Sequence, residues 1–94
     1  MTAHLDEKAL IERLETAYAL VQVGGRYVHY RNDTYTYKVI GLGILEATQE
    51  PAVLYQMEYG SEALRSTTWI RPLRSWLELI PVEDEKIPRF RRVE

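Results

Sequence analysis

A chain of 94 residues with a hydrophobic fraction of 46% and a charged fraction of 28% is one small, soluble globular domain by size and composition. The net charge of −2 gives no overall attraction to nucleic acid or membranes, and the absence of cysteine excludes disulfides, thiolate metal sites and a cysteine nucleophile. Residues 1–7 lack the pattern of a signal peptide and no apolar run approaches the ~20 residues that cross a bilayer, so we expect a cytoplasmic protein without membrane association.

The first predicted element is an amphipathic helix over residues 6–22. Asp6 is a suitable N-cap, and Gly24 and Gly25 end the helix. Because an isolated helix of this length is marginal in water, its apolar face must be covered by the sheet of the same chain or by a second copy, and the first is favoured. That face consists of Leu10, Ile11, Leu14, Ala17, Tyr18 and Val21.

From residue 26 onward the pattern changes to that of short strands. They are predicted over residues 26–30, 35–45, 53–59, 68–71 and 77–80, with one helical turn at 73–76. The links at 31–34 and 46–51 are polar, the link at 61–67 has no clear form, and residues 82–94 form a tail. The short connections exclude parallel pairing, which needs crossovers of about a dozen residues.

The clearest strand is Val53–Tyr59, in which apolar and aromatic residues alternate with more polar ones, and it is predicted to be central. In the preceding strand, Gly41 and Gly43 continue the face of Val39 and indicate a bend or a close backbone approach. The predicted fold is mainly β, or α+β by count. One helix (6–22) precedes a strongly curled antiparallel sheet or small, partly closed barrel of about five strands (23–94), all in a single domain over residues 1–94.

Several short motifs follow one another along the β part of the chain. They are Gly25–Tyr30, Tyr37–Gly41, Val53–Gln56, Tyr59–Gly60, Trp69–Leu73, Trp76–Glu78 and Ile87–Phe90. In this order they resemble DUF1653, a family of small bacterial domains of undefined function, over about residues 23–94. The resemblance implies a compact β-rich domain of SH3-like barrel type and little chemistry. The helix lies outside the resemblance, and the links at 31–36 and 61–68 are longer than the family pattern.

The candidate site combines aromatic side chains with an arginine and a histidine. It consists of His29, Tyr30, Tyr59, Trp69 and Arg71. Aromatic residues at strand ends can form a stacking platform, although most aromatics of a small β domain serve its core. Arg71 either pairs with a carboxylate, Glu58 or Glu62, or holds a carboxylate or phosphate with its planar fork. His29 has no second histidine at ligand spacing, so we expect neither a metal site nor a catalytic set, and no cofactor.

These features favour a non-catalytic binding module whose groove takes a small anionic ligand, a nucleotide or a peptide. The alternative is an interaction protein that self-associates as a homodimer, or docks on a partner, through the helix. A small hydrolase or isomerase using His29 with Glu58 or Glu62 is a third hypothesis. Nucleic acid is a less favoured partner, because an acidic run at 83–85 lies beside the tail arginines at 89, 91 and 92.

Overall fold

A computed structural model of the chain describes residues 6–94; residues 1–5, with His4, lie outside the described part. Strands and helices follow in the order α1 Glu7–Leu20, β1 Arg26–His29, β2 Asn32–Ile44, β3 Pro51–Met57, α2 Glu62–Arg65, β4 Trp69–Pro72, α3 Leu73–Trp76, β5 Leu79–Val82, β6 Glu85–Pro88 and β7 Phe90–Arg92. The fold is therefore mainly β with an N-terminal helix, as the sequence predicts.

The main sheet is open, with five strands in the order β4-β3-β2-β1-β7. All of its pairings are antiparallel, which confirms the prediction from short connections. The predicted SH3-like barrel and strongly curled sheet are not found. The strand order is linear, and β4 and β7 are its two unpaired edges. The chain enters α3 directly after Pro72, and then forms the separate β5–β6 hairpin instead of closing the sheet.

β3 is an interior strand with partners on both sides, β2 and β4. Its alternation has the predicted result, because Val53 and Tyr55 are buried on the face that carries the core. The middle position of the sheet belongs to β2, which pairs with β1 along one edge and with β3 along the other. The link before β3 is therefore the turn that joins the two longest strands of the sheet.

A β-bulge in β2 corrects the predicted face of its glycines. Val39 lies opposite Tyr55, but the register shifts at the next residues, so that Leu42 lies opposite Val53. The extra residue turns Gly41 away from the core face and brings Leu42 onto it, where Leu42 packs against the core. Simple alternation fails here because a bulge adds one residue to only one strand of the pair.

Two segments that the sequence left without regular structure are ordered elements. The link after Gly60 contains α2, whose first turn is capped by Ser61 Oγ accepting from the backbone N–H of Leu64 at 3.3 Å. The tail contains β6 and β7, and β7 pairs with β1, with Phe90 opposite His29. The tail therefore completes the main sheet.

α1 packs on its own chain, against β2 and β3, which confirms the favoured prediction for the helix. The N-cap of the helix is Asp6, whose Oδ1 accepts from the backbone N–H of Ala9 at 2.8 Å. Ala17 is fully buried, but Ile11 and Tyr18 remain 45% and 57% exposed. The sheet of the same chain thus covers only part of the apolar face of the helix.

The core lies on one face of the main sheet. Trp76 of α3 covers it, and its ring stacks on Phe90 with centroids 3.8 Å apart and planes inclined by 8°. The buried core residues are Val21, Tyr27, Val39, Val53, Tyr55, Trp76 and Phe90. α3 covers only part of this face.

None of the helices between residues 6 and 94 has the length and apolar character required to traverse a lipid bilayer.

Candidate functional site

A cleft of about 250 Å³ lies at one end of the main sheet, and all five strands contribute to it. This is the end at which β1 and β3 finish and β4 and β7 begin, because neighbouring strands are antiparallel. We call it the Arg71 cleft. Its lining residues are His29, Tyr37, Tyr55, Met57, Trp69, Arg71 and Phe90.

Arg71 is held in this cleft by neutral groups. Its position opposite Val53 places it on the core face of the sheet. Nη1 donates to Ser75 Oγ of α3 at 2.9 Å, and Cζ lies over the Phe90 ring, 5.5 Å from its centroid. Nε is buried and has no hydrogen-bond partner, and no carboxylate of residues 6–94 lies within ion-pair distance. The guanidinium charge is therefore not neutralised by a neighbouring carboxylate.

Of the two alternatives for Arg71, the pairing with Glu58 or Glu62 is wrong. Glu58 instead forms an ion pair with Arg26, with Oε1 3.0 Å from Nε, and accepts from the Thr36 hydroxyl at 2.8 Å. Glu62 lies in the exposed helix α2, beyond the cleft. The strand pattern does not report the contacts that Arg71 makes, because Ser75 lies in the following helical turn and Phe90 in β7.

His29 lies in a positive environment. Burial is the first cause that lowers its pKa from the ordinary value, and the positive charges of Arg89, Arg71 and Arg31 lower it further. Nδ1 accepts from the backbone N–H of Arg31 at 3.2 Å, so the neutral ring carries its proton on Nε2. Its ring packs edge-on against Phe90, with centroids 5.2 Å apart. The hydrolase or isomerase hypothesis required a carboxylate within hydrogen-bond distance of the His29 ring. Nδ1 instead accepts a hydrogen bond from the main chain, which does not support that hypothesis.

A pair of tyrosine hydroxyls lies at the rim of the cleft. The hydroxyls of Tyr37 and Tyr59 are 2.8 Å apart, and Tyr35 stacks on Tyr59 with ring centroids 4.3 Å apart. Burial, and next the hydrogen bond with Tyr59, raise the pKa of Tyr37 above its ordinary value, so the hydroxyl stays protonated at neutral pH. Two hydroxyls joined by one hydrogen bond keep one further proton, which can be donated to a ligand.

The structure brings three of the five predicted site residues into one cleft: His29, Trp69 and Arg71. Tyr59 does not line the cleft, but its hydroxyl is hydrogen-bonded to that of Tyr37, which does. Tyr30 packs on the His29 ring, with centroids 4.6 Å apart, but its side chain lines a second cleft on the other side of that histidine.

Four lining residues were missed: Tyr37, Tyr55, Met57 and Phe90. Tyr37 and Met57 lie opposite each other in neighbouring strands, so an assumed β2–β3 register would have found them. The sequence gives only a weak signal for Phe90: it is the only phenylalanine in the chain, and it is an apolar residue between arginines. Its role depends on the pairing of β7 with β1, which links residues far apart in sequence.

Between residues 6 and 94, the structure brings together no group of three or more histidine, aspartate or glutamate side chains that could hold a metal ion.

Comparison with known proteins places the β part of the chain in a family. The model of the family described as "protein of unknown function (DUF1653)" matches residues 25–92. The crystal structure of a DUF1653 protein from Bordetella bronchiseptica is similar, with a TM-score of 0.61 and 31% sequence identity over 74% of this chain and 85% of that chain. No curated protein matches the chain. The match covers all five strands of the main sheet and every residue of the Arg71 cleft, and this chain belongs to the DUF1653 family.

Proposed function

We propose that this domain is a non-catalytic binding module and that the Arg71 cleft holds the anionic group of a small ligand, a nucleotide or a peptide. A carboxylate or a phosphate would meet one guanidinium group, one free tyrosine hydroxyl proton and the neutral imidazole of His29. The arginines around His29 oppose a bound cation, so the aromatic rim does not suit a methylated ammonium group.

The observation that carries the proposal is that the Arg71 guanidinium has a buried N–H donor without a hydrogen-bond partner. Nη1 is committed to Ser75, which leaves Nε and Nη2 as the second edge of the planar fork. A buried donor without a partner costs free energy, about 1–3 kcal/mol in typical cases, and a ligand oxygen on Nε would remove that cost. Two parallel hydrogen bonds from this edge are the usual way in which arginine binds a carboxylate or phosphate.

The dimensions of the cleft indicate which part of a ligand enters it. Pockets that enclose a whole drug-sized ligand measure about 300–1,000 Å³, whereas the Arg71 cleft measures about 250 Å³. We therefore expect only the charged group to enter, while the rest of the ligand lies against the rim. Trp69 is 39% exposed there and offers a face for stacking on a planar group.

Titration of tryptophan fluorescence with a nucleoside monophosphate and with a short acidic peptide tests the proposal. Arg71→Ala and Arg71→Lys should each weaken binding of the accepted ligand at least tenfold, because lysine keeps the charge but not the fork. Arg65→Ala removes the same charge from exposed α2, away from the cleft, and should leave the affinity unchanged. Equal binding by wild type and folded Arg71→Ala would refute the proposal.

A second candidate function is self-association through α1. Ile11 and Tyr18 are seven residues apart, so they lie on the same side of the helix, and both are exposed. A second copy of the helix could cover them. Sedimentation should then show a dimer in the wild-type protein and a monomer in Tyr18→Asp. A wild-type protein that remains a monomer at the highest concentration measured would eliminate this function.

A further inference from the structure

The outer edge of strand β4 has no partner strand. β4 is the last strand of the main sheet on its side, and in the part of the chain that the structure describes no other strand lies beside it. Ile70 in the middle of β4 is 60% exposed, and its neighbour Trp69 is exposed as well. Next to β7, by contrast, Arg89 joins the chain to the end of α3, because its N–H donates to the carbonyl of Glu78 at 3.0 Å and its Nε to that of Ser75 at 3.1 Å. β4 therefore offers the more accessible edge.

The register of β3 shows which main-chain groups of β4 point to this edge. At one end of β3, the N–H of Glu58 donates to the carbonyl of Thr36 at 3.0 Å, and at the other end the carbonyl of Glu50 accepts from Leu45 at 2.9 Å. The even-numbered residues of β3 are thus bonded to β2. Because the direction of the main-chain groups alternates along a strand, the odd-numbered residues of β3 are bonded to β4.

This alternation directs the main-chain groups of Ile70 away from the sheet. Trp69 and Arg71 lie opposite odd-numbered residues of β3 and are bonded to them, whereas Ile70 lies opposite Leu54. The N–H and C=O of Ile70 therefore face the open side, where they can pair with a further strand. Pro72 has the same orientation, and the N–H that it lacks is one that β3 does not need.

The open edge adjoins the Arg71 cleft, because Trp69 and Arg71 of β4 both line that cleft. Resting on the function proposed above, we propose that the anionic group is the side chain of a glutamate in an extended peptide segment that joins β4 as an added antiparallel strand. The peptide residue opposite Ile70 exchanges two main-chain hydrogen bonds with it and lies on the same face as the Ile70 side chain. The peptide residues before and after it lie on the face of the cleft, where Cβ atoms of paired strands are about 4.5–5.5 Å apart. A glutamate at either position is a neighbour of the Arg71 guanidinium.

Charge favours an acidic peptide over a second copy of this chain. Two copies that paired through Ile70 would place residues 68–72 of one beside β4 of the other. That segment contains no acidic residue, so the buried Nε of Arg71 would remain without an acceptor and the two positive charges would lie near each other. A nucleotide supplies the anion but leaves the N–H and C=O of Ile70 unpaired. An acidic peptide alone satisfies both the guanidinium and the strand edge.

Fluorescence anisotropy with a labelled heptapeptide in which valine and glutamate alternate tests the inference. In the proposed pairing the valines share the face of Ile70 and form the main-chain bonds with it, so N-methylation of the valines should weaken binding about tenfold or more. N-methylation of the glutamates is the matched control and should leave the affinity unchanged, because their N–H groups point away from β4. The same peptide with glutamine in place of glutamate should bind about tenfold more weakly to wild type. Arg71→Ala should bind the glutamate and glutamine peptides equally.

Ile70→Pro tests the edge from the side of the protein. It removes an N–H that β3 does not use, so the sheet should still form, as circular dichroism can confirm, and the heptapeptide should bind about tenfold more weakly. Ile70→Val keeps the N–H and should bind like wild type. If Ile70→Pro does not fold, the two N-methylated peptides decide the question with the wild-type protein.

Equal binding of the two N-methylated peptides, with the dependence on Arg71 retained, overturns the inference and leaves the proposed function intact. Binding of a nucleoside monophosphate through Arg71 without any binding of the heptapeptide has the same meaning. Insensitivity of every probe to Arg71→Ala overturns both. A wild-type dimer in sedimentation that Ile70→Pro dissociates assigns the edge to a second copy and overturns the choice of a peptide.

Discussion

Replacing Phe90 tests whether the end of the chain is part of the core. Phe90 belongs to a strand of only three residues, yet its side chain is 7% exposed. It stacks on Trp76 at 3.8 Å and meets the rings of Tyr55 and Tyr37 at 5.8 and 5.9 Å. Because Arg71 lies over the same ring, Phe90 connects the core with the candidate site.

The size of the effect follows from these contacts. Phe90→Ala removes an almost fully buried ring and leaves a cavity, and such substitutions cost about 3–5 kcal/mol in the free energy of unfolding. Phe90→Leu keeps most of the apolar volume but loses the ring contacts, each worth about 0.5–1.5 kcal/mol beyond burial. We therefore expect about 1–3 kcal/mol for leucine. The leucine variant should also bind ligands in the Arg71 cleft more weakly, because the guanidinium loses the ring beneath it.

Urea denaturation followed by circular dichroism measures both costs, provided that the slope of the transition stays unchanged. Val93→Ala is the control, since Val93 is 44% exposed and lies just beyond β7. Its effect should stay within about 0.5 kcal/mol, as for most surface substitutions. If Phe90→Ala destabilises the protein no more than Val93→Ala, Phe90 is not part of the core and does not line the Arg71 cleft.

Other predictions concern protonation, backbone conformation and the rim. The folded chain holds the pKa of His29 below its ordinary value, so the unfolded chain binds the proton first as the pH falls. The free energy of unfolding should therefore decrease as the pH drops through about 6.5. His29→Gln should flatten this part of the pH dependence in a series of urea titrations. Gly24 has a φ of +87° with open space around it, so Gly24→Ala should lower the free energy of unfolding by about 1–2 kcal/mol from backbone strain alone. Gly41→Ala is the control, because Gly41 also has open space around it but no positive φ, and it should lower the stability less. Equal losses of stability in thermal denaturation would contradict this reasoning. Tyr59→Phe removes one hydroxyl of the rim pair and should allow Tyr37 to ionise at lower pH in an absorbance titration, because its hydrogen bond is one cause of the raised pKa; an unchanged titration would show that burial alone sets it.

Local patterns predicted the elements that depend on neighbouring residues in the chain. The alternating positions of Val53 and Tyr55 predicted β3, because both side chains lie on the face of the sheet that carries the core. Asp6 was enough for the start of α1, since capping involves only the next three residues. Pro72 indicated both the end of β4 and the turn of α3.

The missed features depend on contacts between distant residues. β7 has three residues, too few for a period, and its burial arises from pairing with β1 more than sixty positions earlier. The openness of the sheet depends on whether its two edge strands, β4 and β7, meet, which no local pattern reports. Of the two contacts of Arg71, Phe90 likewise comes from β7, whereas Ser75 is only four residues away and was overlooked; Glu58 and Glu62, the partners suggested in one of the two interpretations, form no ion pair with it.

The late position of Phe90 has a consequence for synthesis. A nascent chain that has left the ribosome as far as β4 already possesses Trp69, Arg71 and the tyrosines of β2 and β3, but Arg71 still lacks its ring. The Arg71 cleft is therefore complete only when β7 has been made. On the function proposed above, chains that stop before β7 should be unable to compete with the finished protein for a ligand of this cleft.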